Sequence, residues 1–287
     1  MINIVAGNNC LPKVVLTHAS GASAEVYLHG AHVTSWVTAA GEELFFLSRL
    51  AEFAPHKPIR GGIPLCWPQF SGQGPLPAHG LVRIEDWELA SSETRADGAL
   101  VATLRLSETP ATLAQWPHPF TAEMKVTLQE TALTVAFCAT NTGSEPFSSQ
   151  LAFHSYFRIA DIHQTAVRGL HEVMYLDAIN EMKPTLENGA EIRFAEETDR
   201  VYMDTPNTLQ VVDEAKKLII KLEKTNLPDA VIWNPWIAKA QRMPDYGDEE
   251  YQQMVCAETG RIIDPVVLAP GESWTGSTTF SVCATSG

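Results

Sequence analysis

No stretch of about 18 consecutive apolar residues occurs in the 287-residue sequence, so a membrane-spanning helix is not expected. The opening segment MINIVAGNNCLPKVV lacks a basic region followed by an unbroken apolar run, and no secretory signal is read there. Basic residues are scarce: 20 Lys and Arg stand against 34 Asp and Glu, a formal net charge of −14. A surface of that sign repels nucleic acid and anionic lipid, and neither is expected as a partner. Cysteine is sparse too. Cys10, Cys66, Cys138, Cys256 and Cys283 never adopt a C-x-x-C spacing. An odd, scattered set suits a reducing, cytoplasmic setting better than a disulfide framework. There is no internal repeat, low-complexity tract or linker, so residues 1–287 read as one domain. Long helical periodicity is also missing; only the acidic segment Gly247–Gln253 suggests a short helix.

What is present is a period of two. In Thr121–Gln129, Ala122, Met124, Val126 and Leu128 alternate with Glu123, Lys125, Thr127 and Gln129. Leu100–Leu106 repeats the pattern, as do Leu133, Val135 and Phe137, and then Leu218, Ile220 and Leu222. Half-buried antiparallel strands have this signature. Turn signals punctuate them at Ala96-Asp97-Gly98, Asn141-Thr142-Gly143, Glu187-Asn188-Gly189 and Pro270-Gly271-Glu272. The prediction is an all-β fold of stacked antiparallel sheets.

Two segments break the rhythm, 55–87 and 232–260. Both mix Trp, Pro, Arg, His and carboxylates in irregular backbone, and irregular loops on a rigid β scaffold are common places for a site. Trp67, Phe70, Trp233 and Trp236 fall beside Gln69, Asn234 and Asp245. Sugar rings present apolar C–H faces to aromatic rings and hydroxyls to fixed polar groups, so this mixture suggests sugar recognition. For any single Trp, a place in the core is the plainer reading.

The stretches KPIRGGIPLCWPQF and LPAHGLVRIEDWEL, then FHSYFRI, DRVYMDT, VIWNPW and VCAETG, run in order along the chain. Together they resemble the hexose-6-phosphate mutarotases (glucose-6-phosphate 1-epimerases) of the aldose 1-epimerase superfamily. The resemblance extends from about Gly30 to Gly271. It implies a galactose mutarotase-like β-supersandwich with a concave groove. It also implies a reaction in which one group deprotonates the anomeric hydroxyl while another protonates the ring oxygen, without metal or organic cofactor.

Carried over motif by motif, the resemblance puts Glu258 of VCAETG in the base position and His154 of FHSYF in the acid position. With a reference pKa of about 4.3, Glu258 is expected to be ionised at neutrality; with one near 6.5, His154 can supply an imidazolium. Without the motifs, a core histidine and a solvated strand carboxylate would be the plainer readings. Arg60 and Arg83 match the family's phosphate position, which would reconcile an anionic substrate with so acidic a chain. Guanidinium forks bind phosphate oxygens bidentately, and Gly61 and Gly62 would allow close backbone approach. Asp204 in DRVYMDT is expected to accept from sugar hydroxyls, with a plain turn carboxylate almost as good a reading. Gln69 and Trp233 are expected at the sugar. His79 in AHG is the competitor to His154 for the acid role. Ala78 stands where many relatives carry Gln, which removes one side chain from the substrate surface. His18, His29, His32, His56, His118, His163 and His171 are assigned to structure or surface.

Three functions follow: a mutarotase for a hexose 6-phosphate acting as a monomer, a mutarotase for unphosphorylated aldoses, or a non-catalytic sugar-phosphate-binding protein. The Arg60/Arg83 pair favours the first over the second. Retention of both His154 and Glu258 argues against the third.

Overall fold

The alternating segments are strands. In the computed structural model, which describes residues 1–284, they pair into a nine-stranded antiparallel sheet. Its order is Glu191–Arg193, Thr165–Arg168, Thr208–Asp213, Leu218–Thr225, Ser273–Ala284, Ala132–Asn141, Phe120–Leu128, Leu100–Ser107 and Glu88–Thr94. Register follows the apolar faces: Met124 lies opposite Phe137 and Val126 opposite Val135, all four buried. A one-residue slip would turn Glu123 and Lys125 inward, so the pattern itself fixes the pairing.

A second sheet has eight strands. Lys183–Leu186, Met174–Asp177, Thr198–Tyr202, Asp229–Asn234, Met254–Leu268, Phe147–Phe153 and Leu65–Cys66 follow one another, and Tyr156–Arg158 also pairs with Met254–Leu268. A four-stranded N-terminal sheet joins Ile2–Ala6, Pro12–Thr17, Ser23–Tyr27 and His32–Val37. One hydrophobic cluster draws on all three sheets, with Val14 and Trp36, Phe137 and Phe280, and Ile232, Val255 and Ala257 among its members. Phe45 is the hub: its ring lies 5.7 Å from both Phe157 and Phe280 and 5.9 Å from Trp36. This is the all-β architecture of stacked antiparallel sheets that the alternation predicts.

Helix is confined to short pieces. Of Gly247–Gln253, Glu250–Gln253 forms a single 3₁₀ turn, while Pro110–Gln115 and Trp236–Ala240 are short α-helices that apolar periodicity does not reveal. The first carries a local signal of its own. Pro110 follows an N-cap Thr109, whose hydroxyl accepts from the Thr112 N–H while the Thr112 hydroxyl accepts from the Thr109 N–H.

Candidate active site

The eight-stranded sheet uses its two faces differently. Ile232, Val255 and Ala257 point into the core, so by the period of two Val231, Trp233, Cys256 and Glu258 point to the other side. Pairing then lines up two rows across that face. Val201 lies opposite Val231, and Val231 opposite Glu258. Asp199 lies opposite Trp233, Trp233 opposite Cys256, and Cys256 opposite Tyr156. Apart from Cys256, these residues line a cavity of about 340 Å³, at the lower end of the roughly 300–1,000 Å³ common for small-molecule pockets.

His154 reaches the cavity where the chain leaves regular pairing. Phe153 is still opposite Thr259 and pairing resumes at Tyr156, leaving His154 and Ser155 between two strands. The His154 ring stacks on Tyr156 at 4.8 Å and 9° and meets Trp233 edge-on at 6.0 Å. Arg60 arrives on the loop before Leu65, held by the backbone. Gly62 N–H donates to the Phe46 carbonyl at 2.7 Å, and the Gly62 carbonyl accepts from Tyr156 N–H at 2.9 Å. At φ 61°, with a would-be Cβ inside contact distance of the Val33 carbonyl oxygen, only glycine fits at Gly62. The Arg60 guanidinium donates to Asp245 Oδ2 at 3.1 Å and to the Tyr156 hydroxyl at 3.0 Å.

At the centre, His154 Nδ1 and Glu258 Oε1 are 3.2 Å apart, yet the two are not aligned as a hydrogen bond. His154 Nδ1 and Glu258 Oε2 are both buried without a partner. Burial, aided by the Asp199 carboxylate, pushes the Glu258 carboxyl well above the usual carboxylate range. Burial, then His79, Arg60 and Arg83, holds the His154 imidazole well below its ordinary value. Both shifts favour a protonated Glu258 and a neutral His154, the reverse of the charge states expected from their reference values. The number of protons is unchanged, because a carboxylic acid beside an imidazole holds as many as a carboxylate beside an imidazolium. His79 is neutral also, lowered to about 3 by burial and by Arg83 and Arg60. Its Nδ1 accepts from Ser71 N–H at 3.4 Å and faces Cys66 Sγ at 3.2 Å, which places its proton on Nε2.

Of the residues singled out in the sequence, His154, Glu258, Arg60, His79 and Trp233 line this cavity together. Three do not. Arg83 lies outside the lining and its guanidinium donates to the Ala78 carbonyl at 2.7 Å, although its charge is felt at His79 and His154. Gln69 is buried and spends its amide on the Ser71 and Leu76 carbonyls and the Leu76 N–H. Asp204 is exposed two residues past the end of its strand; burial lowers the Lys224 pKa to about 8, and Asp229 and then Asp204 oppose that shift. The acid that reaches the cavity from DRVYMDT is Asp199. Alternation within the motif separates the two, since Asp199, Val201 and Met203 share one face and Asp204 has the opposite parity.

Among the aromatics, Phe70 lines the cavity, whereas Trp67 packs in the core at 4.8 Å from Phe120. Tyr156, Lys239, Ser71 and Gln73 also belong to the polar lining, and none of them stood out in the sequence. Lys239 pairs with Glu197 at 3.1 Å and Asp199 at 3.3 Å, and sits 5.7 Å over the Trp233 ring. His154 Nδ1, Cys256 Sγ and a Glu258 oxygen lie within 4.8 Å of one another and have the donor types of a zinc site, but Cys256 is outside the cavity lining.

An all-β protein whose sheet presents a buried carboxyl–imidazole pair to a sugar-sized cavity has the parts of a proton-transfer enzyme. Residues 12–281 match the aldose 1-epimerase family, and the chain belongs to that family. A protein of Cenchrus ciliaris named "Putative glucose-6-phosphate 1-epimerase" is 41% identical over 283 residues, spanning 96% of this chain and 86% of the relative. One of the same name from Escherichia coli K12 is 34% identical over 252 residues, or 87% and 83% of the two chains. The crystal structure of a Salmonella typhimurium protein described as a "putative mutarotase" superposes with a TM-score of 0.88 at 26% identity, covering 99% of this chain and 97% of the other.

Proposed function

We propose that the protein interconverts the α and β anomers of a hexose 6-phosphate, glucose 6-phosphate first among them, by opening and reclosing the pyranose ring. The observation that carries this reading is the buried His154–Glu258 pair at 3.2 Å, with an unpartnered nitrogen and oxygen, on the wall of a cavity that also holds Arg60 and Lys239.

The proton path needs no net gain or loss. Glu258 passes its proton across to His154 Nδ1 as substrate enters, giving a carboxylate and an imidazolium. The carboxylate takes the proton of the anomeric O1 hydroxyl while His154 Nε2–H donates to the ring oxygen, the C1–O5 bond breaks, and an aldehyde remains. After rotation about C1–C2 the steps reverse on the other face. Glu258 is thus the base and His154 the acid, each contributing roughly 10²–10⁴-fold. His79 offers its Nε2–H to a sugar oxygen, and lacks the carboxyl neighbour at 3.2 Å that could hand His154 a proton. The phosphate is met by Arg60 and Lys239, with Arg83 adding charge from behind. Asp199 takes the hydroxyl-accepting role expected of Asp204. All five cysteines are unpaired, consistent with a cytoplasmic setting.

One observation favours a second reading, a mutarotase for unphosphorylated aldoses: Arg60 is already paired with Asp245 and Arg83 is absent from the lining. Anomeric exchange followed by NMR separates the two. The protein should speed the relaxation of β-glucose 6-phosphate far more than that of β-glucose; equal acceleration selects the second reading, and none for either sugar removes both. Glu258→Gln should lose roughly 10²–10⁴-fold in exchange rate while still binding the phosphosugar.

A further inference from the structure

A second cavity, of about 640 Å³, lies between the four-stranded N-terminal sheet and the loop after it, and Arg158 lines it. Nearly every charge on its wall is matched. Lys13 holds Glu25 at 2.6 Å, and Arg49 holds Glu250 at 3.0 Å. Glu43 accepts from the Ser35 hydroxyl and from the N–H groups of Trp36 and Phe45. Arg158 is the exception. Among the described residues it has no carboxylate within 4 Å, and its buried Nε has no partner at all. Its guanidinium lies 5.8 Å from the Phe46 ring centroid, which orients the plane but uses none of the five N–H donors. Thr34, 3% exposed, lines the same cavity and its hydroxyl is likewise unpartnered.

In a chain with 14 more acidic than basic residues, only two half-buried arginines among the described residues hold no carboxylate, Arg83, which donates to the Ala78 carbonyl, and Arg158. Arg49, Arg60, Arg168, Arg193, Arg200 and Arg261 all hold carboxylates. An orphaned buried donor costs about 1–3 kcal/mol, more when charged. The protein would be expected to have closed such a gap unless something from solution fills it.

We propose that this cavity is a second ligand site, distinct from the sugar cavity, that binds a small oxyanion-bearing metabolite through the Arg158 guanidinium. A planar fork of donors without a carboxylate partner matches a phosphate or carboxylate group, and the Glu43 carboxylate on the same wall is already engaged by three neutral donors. The volume leaves room for a molecule larger than the bare ion, and Asn8 and Asn9 at the rim offer amides to its neutral part.

The test follows the Arg158 Nε–Hε signal of the ¹⁵N-labelled full chain by NMR, the signal being identified by its loss in Arg158→Lys. Inorganic phosphate and citrate are titrated separately, so that the two arms distinguish phosphate from carboxylate chemistry. A saturable shift in either arm, kept in Arg60→Ala where the sugar cavity is impaired, supports the site. In Arg158→Gln, which lacks that signal, the titration is followed through the backbone amides of Thr34 and Phe45, and the binding should weaken by roughly tenfold or more. An Arg158 signal that does not move in either arm overturns the proposal. So does a shift that disappears with Arg60→Ala. Because the readout is the Arg158 signal itself, the result is independent of whether the protein proves to be a mutarotase.

Discussion

The charge states of Glu258 and His154 decide how the centre works. In the proposed mechanism a carboxylic acid beside a neutral imidazole is at rest, and it must become an ion pair before it can act on both oxygens of the hemiacetal. The positive field of Arg60 and Arg83 opposes that step at His154. A phosphate dianion bound at Arg60 and Lys239 would offset that field and favour the imidazolium, so the substrate's remote phosphate would switch on the acid. Free glucose lacks that group. Exchange of glucose anomers should therefore accelerate when inorganic phosphate is added, and Arg60→Ala should remove the stimulation; a rate indifferent to phosphate would sink the field argument. The same burial predicts a stability effect. In the unfolded chain Glu258 ionises near 4.5, whereas burial raises its pKa well above that in the fold, so rising pH favours unfolding through this residue. Glu258→Gln should be inactive but more stable than the parent, by a margin in melting temperature that grows from pH 6 to pH 8. Asp199→Asn should impair exchange by raising KM, and Asp204→Asn should leave kinetics unchanged.

At the scale of strands, how much could be read depended on what each residue contacts. A strand face buried against the core repeats every second residue within one segment, so Ala122–Leu128 and Leu133–Phe137 announce themselves. The cavity face carries no such regularity: Val201, Val231 and Glu258 belong together only because three strands happen to be in register. Contacts such as Arg60 to Asp245, 185 residues apart, leave no local trace. His154 and Glu258 were legible through motif resemblance. Tyr156 and Lys239 were not, because a tyrosine in a strand and a lysine in a short helix look like any others. Parity inside DRVYMDT could have separated Asp199 from Asp204 without a structure. Trp67 misled for a physical reason: proline-broken backbone looks like a loop, but its indole packs among Trp116, Phe120 and Phe147. Local capping, by contrast, was there to be read. Thr109→Ala should cost about 1 kcal/mol by denaturant unfolding, with exchange activity intact.

On the scale of the whole molecule, acid should act through buried histidines before it acts through carboxylates. His32, 1% exposed, donates through Nε2 to the Gly61 carbonyl at 2.7 Å, and so fixes the loop that carries Arg60. Burial lowers its pKa from 6.5 to about 3, and His79 is lowered to about 3 as well. Both are neutral in the fold and become charged in the unfolded chain below pH 6.5. The unfolded state therefore binds the extra protons, and stability falls as pH drops from 6.5 towards 3. Each such histidine contributes a slope of about 1.4 kcal/mol per pH unit within that window. Glu258 and Asp199, both raised by burial, pull the other way, so the total slope mixes signs. A difference isolates one group. His32→Gln keeps an N–H donor for Gly61 but cannot titrate. Its unfolding free energy, measured in urea from pH 6.5 to 4.5, should draw level with or overtake the parent's, the gap changing by about 1.4 kcal/mol per unit. Curves that stay parallel over those two units would mean that His32 is already protonated in the fold, and that the Arg60 loop is held by something other than a neutral imidazole.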